Sequence, residues 1–165
     1  MAVLTLPELK RHLGAKAPDD EADLTALITA AESAVAARCG PLEPTVTTKR
    51  IRGGRSLVLP TTPVISVTTV TGKSGSVVAG TSYNLWGDSG VVTSDSTFPE
   101  EFYDVVYSAG RSACPADLKE AVKERARYIW QSRRGPANGV AGSESLNALK
   151  RSEELMAPYM QPGFA

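Results

Sequence analysis

Histidine occurs once in this chain of 165 residues, at His12, and cysteine twice, at Cys39 and Cys114. That scarcity limits the chemistry available. Gly87-Asp88-Ser89-Gly90 imitates the nucleophile segment of trypsin-like proteases. A serine nucleophile needs a histidine base and a buried carboxylate, whereas His12 sits between Arg11 and Leu13 in a short N-terminal helical stretch. Gly72-Lys73-Ser74 imitates the end of a phosphate-binding loop. Such a loop requires a glycine where Val67 stands, and it must open a helix whose N–H groups hold the phosphate. The next residues, Gly75-Ser76-Val77-Val78, have a strand pattern instead, so both segments read as turns. The lone histidine and the two distant cysteines give no zinc spacing along the chain. Asp19-Asp20-Glu21-Ala22-Asp23 lacks the glycine and distal glutamate of a calcium loop and reads as the start of a helix. These motifs supply no catalytic residue and no metal site.

Two other groups of residues suit contact rather than catalysis. Lys49, Arg50, Arg52 and Arg55 crowd a seven-residue stretch without an acid, around Gly53-Gly54. On a hairpin they would either guard an exposed edge against unwanted pairing or touch phosphates or an acidic protein neighbour. At the C-terminus, Leu155, Met156, Tyr159, Met160 and Phe164 alternate with helix breakers. That tail either packs back on its own domain or docks on a partner. Lys119, Lys123, Arg125, Arg127, Arg133 and Arg134 are interleaved with Glu120 and Glu124, the pattern of a salt-bridged exposed helix face.

Periodicity identifies the elements that must carry these residues. Thr5-Leu6-Pro7-Glu8 is a capping box, with Leu6, Leu9 and Leu13 on one helical face and Gly14 as the stop. A second helix opens at Pro18–Asp23, buries Leu24, Leu27, Ile28, Ala31, Val35 and Cys39, and ends at Gly40-Pro41. From about Thr45 to Gly110, Val, Thr and Ile become frequent and turn residues recur. Strands are expected near 45–52, 56–59, 65–71, 76–78, 83–85, 91–93 and 103–107, with turns at Gly53-Gly54, Gly72–Gly75 and Gly87–Gly90. A long helix begins after Pro115, with Leu118, Ala121, Val122, Ala126, Ile129 and Trp130 apolar and a stop at Gly135-Pro136. After a glycine-rich loop, a last helix near Ser143–Met156 presents Leu146, Leu149 and Leu155. The predicted fold is α+β: a helical bundle with an inserted small antiparallel β domain. It divides into an N-terminal helical pair (1–44), the insert (45–110), a long helix completing the bundle (111–135), and a loop, helix and docking tail (136–165).

Composition sets the outer bounds. The length suits one ordinary domain, and 42% hydrophobic with 22% charged residues argues against disorder of the whole chain. No apolar run approaches the ~18 residues of a membrane span. No signal-peptide pattern begins the chain, and two separated cysteines suggest synthesis in a reducing cytoplasm. The 18 basic and 18 acidic residues cancel. Residues 1–40 hold four basic and six acidic, 41–110 five and six, and 111–165 nine and six. A protein that grips nucleic acid shows a stronger basic excess.

The order of elements resembles the head–tail connector (adaptor) proteins of tailed bacteriophages. The resemblance is carried by Leu6–Leu13, by Asp19–Ile28, by Leu59-Pro60-Thr61-Thr62-Pro63-Val64-Ile65-Ser66-Val67, by Ser82-Tyr83-Asn84-Leu85 and by Val105-Val106-Tyr107-Ser108-Ala109-Gly110. Cys114–Ala121 and Leu155-Met156-Ala157-Pro158-Tyr159 complete it, and Tyr128, Trp130 and Arg133 occupy the region where the family has an aromatic residue and an arginine. Where the family commonly has a basic residue after the tyrosine, this chain has Met160. The resemblance implies a homo-oligomeric ring, commonly a dodecamer, beneath the portal protein in the virion neck. Such a ring extends the DNA channel, makes transient contact with genomic double-stranded DNA, and docks the next neck protein, a stopper or tail terminator. It implies a protein that is not an enzyme, with no cofactor and no membrane. A nucleic-acid-binding regulator, a small hydrolase, and a stopper or tail terminator of the same neck are the alternatives.

Overall fold

The computed structural model describes residues 3–14, 21–134 and 141–160. The chain divides into two units. One is helical, built from the chain up to Cys39 and from Cys114 onward; the other, Gly40–Ala113, is built on a sheet.

The helical unit contains α1 (Leu6–Leu13), α2 (Glu21–Cys39), α3 (Ala116–Arg134) and α4 (Ala141–Met156). Glu8 closes the capping box of α1: its carboxylate accepts the Thr5 N–H at 2.9 Å and the Thr5 hydroxyl at 2.8 Å. Leu4 and Leu9 are fully buried beside this cap. The stripe read in α2 is the buried one, Leu24, Leu27, Ile28, Ala31, Val35 and Cys39. Helix α3 packs against each of the other three helices. It buries Leu118, Ala121, Val122 and Ala126, while Ile129 and Trp130 are half-buried.

Helix α4 departs from the expected stripe. Leu146 is exposed, and Leu149 and Leu155 are half-buried. The buried positions are Ala148, Ser152 and Met156, four residues apart. Small side chains let α4 approach α3 closely. The Ser152 hydroxyl donates to the Ala121 carbonyl at 3.0 Å, which satisfies a polar group that would otherwise be costly to bury. The glycine-rich loop and the end of the tail fall at 135–140 and 161–165, outside the described residues.

The sheet unit corrects the predicted arrangement. A helical bundle with a small β insert is not what the chain builds, because the sheet is a major body with its own core. Four antiparallel strands, β1 (Thr45–Val58), β2 (Val64–Gly72), β3 (Tyr83–Trp86) and β4 (Val91–Ala109), run in the order β1-β4-β2, with β3 also on β4. Seven short strands were expected. Instead β1 runs 14 residues through Gly53-Gly54, and β4 runs 19 residues through Ser94–Glu101. The segment at Ser76–Val78 forms only a bridge, Val77 to Thr71, across the Gly72–Gly75 turn.

Gly53 explains the misread turn. A Cβ there would collide with the carbonyl oxygens of Glu100 and Phe98 on β4. The glycine therefore allows two backbones to approach within a continuous strand. The β1–β4 register shifts at this point, between Arg52 and Gly54 and again between Gly54 and Ser56, and the extra residues lie on β4. Pro99 is tolerated there because the shifted ladder does not need its missing N–H.

One face of the sheet covers Leu57, Val70, Val92, Phe98, Tyr103, Val105 and Tyr107. The Phe98 and Tyr103 rings meet edge to face at 5.4 Å.

Candidate functional site

Alternation along β1 decides what its basic residues can do together. Neighbouring side chains in a strand point to opposite faces. Arg50 lies opposite Asp104, and Arg52 opposite Phe102, on the outer face of the sheet. Lys49 lies opposite the buried Val105, on the other face, and remains exposed because β1 is at the edge. Arg55 is exposed within the register shift. The four charges therefore sit along one strand rather than on a hairpin, and they do not form a single patch.

Arg50 is tied down. Its guanidinium donates to both Asp104 oxygens, at 2.8 and 2.9 Å. This holds the Asp104 carboxyl below its ordinary range and raises the guanidinium further. Lys49, Arg52 and Arg55 have no ion pair among the described residues.

Beside the Arg50–Asp104 pair opens a cleft of about 510 Å³, lined by Thr71, Lys73 and Phe102 as well. Phe102 is 37% exposed there, and Lys73 reaches Glu101 at 3.4 Å. The turn that bounds the cleft is fixed by Glu100. Its carboxylate accepts the Ser74 N–H and hydroxyl and the Ser76 hydroxyl, each at 2.7 Å, and these bonds lower its pKa. An ion pair, an exposed ring and a lysine make an amphipathic contact surface.

The C-terminal residues are placed in different settings. Met156 is buried in the helical unit, where its carbonyl lies 3.9 Å from Cys39 Sγ. Leu155 and Tyr159 are half-buried, and the Tyr159 hydroxyl approaches Asp117 Oδ2 at 3.4 Å. Met160 is exposed, and Phe164 lies outside the described residues.

Sequence reasoning missed a third grouping. Glu124, read as part of an exposed helix face, is 3% exposed. Its Oε1 lies 3.7 Å from His12 Nε2 at the end of α1, and 3.9 Å from Arg151 Nε on α4. Glu120, one turn earlier on α3, faces the same point and binds Lys123 at 2.9 Å, which lowers its pKa. A signal was present: Glu124 lies three residues after Ala121 and four before Tyr128, beside the apolar stripe.

A family model described as head completion protein matches residues 2–150. The chain belongs to the head completion protein family. No curated protein matches it. As a head completion protein, the chain has a structural role at the phage head–tail interface of the virion, and the family is not a class of enzymes. The likeness to phage connectors drawn from the sequence agrees with this membership. The matched span covers the basic strand, the cleft and the buried Glu124, and it stops before the Leu155–Met160 segment.

Proposed function

We propose that this head completion protein is a ring-forming adaptor of the virion neck. Copies of the chain, twelve in the expected ring, seat beneath the portal, extend the DNA channel and dock the next neck protein. The observation that carries this reading is the family match across residues 2–150.

The geometry supports it in three ways. Strand β1 has β4 on one side and no strand on the other among the described residues, which leaves a long backbone edge for contact with a neighbour. Lys49, Arg52 and Arg55 are exposed charges available to a neighbouring subunit or to passing DNA. Zero net charge suits a conduit that must not hold its cargo tightly. In this reading Leu155, Tyr159, Met160 and Phe164 meet the portal or an adjacent subunit, and the buried Met156 anchors that segment to its own helix.

Electron microscopy of the purified chain mixed with the portal of its virus tests the proposal. The full chain should add a ring of density below the portal, and a chain ending at Ala157 should not, while keeping its helical circular dichroism. Absence of added density with the full chain would refute the adaptor reading. Equal attachment of the shortened chain would remove the tail from the interface. Tight, salt-dependent binding of the isolated chain to duplex DNA would favour the regulator alternative instead.

A further inference from the structure

His12, Glu120 and Glu124 come from two helices separated by a hundred residues of chain, yet their ligand atoms all lie within 4.8 Å of one another. His12 Nε2 is closed off from solvent and has no hydrogen-bond partner among the described residues. The atom it faces most closely is Glu124 Oε1, at 3.7 Å, on a carboxylate that is itself almost completely buried. With its lone pair on Nε2, the imidazole turns an acceptor toward a carboxylate that can itself only accept, and a cation between the two would satisfy both.

The 3.7 Å between His12 and Glu124 is close to the spacing of neighbouring ligands of one metal ion. Nitrogen and oxygen ligands about 2.0–2.2 Å from a tetrahedral zinc lie roughly 3.4 Å apart. Glu120 and Glu124 are spaced i, i+4, so α3 presents both carboxylates to the same point. We propose that this triad is a structural divalent-metal site that clasps the end of α1 to α3. The donor set, one imidazole and two carboxylates, suits zinc, whereas magnesium prefers oxygen donors and water.

The surrounding charges fit this role. Lys123 holds Glu120 by Oε2, which leaves the other oxygen for the metal. Arg151 is 64% exposed and 3.9 Å from Glu124 Oε1, so it can withdraw into solvent when a metal takes the carboxylate. The proposal is independent of ring formation.

The full chain, stripped with a chelator, is titrated with zinc alone and with magnesium alone. Binding is followed by equilibrium dialysis and thermal melting. Zinc should bind one per chain and raise Tm by on the order of 5 °C at a hundredfold excess over Kd. Magnesium should not raise it, H12N and E124Q should lose the shift, and C114S should keep it. No zinc shift in the wild type would overturn the proposal, and so would a shift retained in H12N or E124Q.

Cobalt substitution of the wild-type chain gives a readout that does not depend on any variant folding. Visible d–d bands without a thiolate charge-transfer band are expected. A thiolate band would place the metal on a cysteine and overturn the assignment.

Discussion

Glu8 serves three donors at once. Lys119 Nζ approaches its Oε1 at 2.7 Å, while Thr5 supplies a backbone N–H and a hydroxyl to Oε2. The Lys119 bond first, and then the two from Thr5, hold its pKa at about 2, against an ordinary 4.5. A carboxyl whose pKa is lower in the folded state stabilises the fold above its unfolded pKa, and that stabilisation fades as pH falls through the folded value. The cap and its bridge to α3 are therefore intact above about pH 4.5 and lost toward pH 2. Glu8→Gln should lower Tm at neutral pH and flatten the Tm profile between pH 4.5 and 2, as differential scanning calorimetry would show. An unchanged profile would mean that the bridge contributes nothing. Tyr107 raises the opposite case. It is fully buried in the sheet core, and its hydroxyl has no hydrogen-bond partner among the described residues. A buried, unsatisfied hydroxyl costs about 1–3 kcal/mol. Tyr107→Phe should therefore leave the urea midpoint unchanged or raise it, with a gain of about 1 kcal/mol. A clear fall would show that the hydroxyl is satisfied.

The decisive elements are the two long strands. Gly53 and the register shifts let β1 and β4 continue where turn-forming residues suggest a break. That continuity turns the expected basic hairpin into an edge strand with charges on both faces. Charges at such an edge contribute little to folding, because exposed ion pairs are offset by solvation and side-chain entropy. Changing Lys49, Arg50, Arg52 and Arg55 together to Gln should shift Tm by no more than about 2 °C. The same change should reduce neck assembly or genome retention, measured as the share of DNA-filled, tailed particles. Normal virions would separate these residues from the proposed interface. On α4 the small residues Ala148 and Ser152 line the buried side, while the larger Leu146 stays in water. Close packing against α3 outweighs the hydrophobicity of single side chains there.

At the scale of the whole molecule, the helices were legible because their signals are local. The cap at Thr5, the stripe from Leu24 to Cys39 and the stop before Pro41 each depend on residues within a turn or two. The family was legible for a related reason, since its short motifs keep their order along the chain, and the match across residues 2–150 bears this out. The sheet was legible as β structure but not as a body of this size. Strand length is set by a partner strand, and Lys49 is paired with Val105, more than fifty residues away. The grouping of His12 with Glu120 and Glu124 escaped for the same reason, because no spacing rule along the chain joins α1 to α3. By itself the sequence determined which segments coil, that the middle of the chain is built of strands, and to which family the chain belongs. The tertiary structure alone decided that β1 and β4 run unbroken, that their charges divide between two faces, and that Glu124 is enclosed. Those outcomes depend on contacts between residues far apart in the chain, whose energies appear only once the chain has folded.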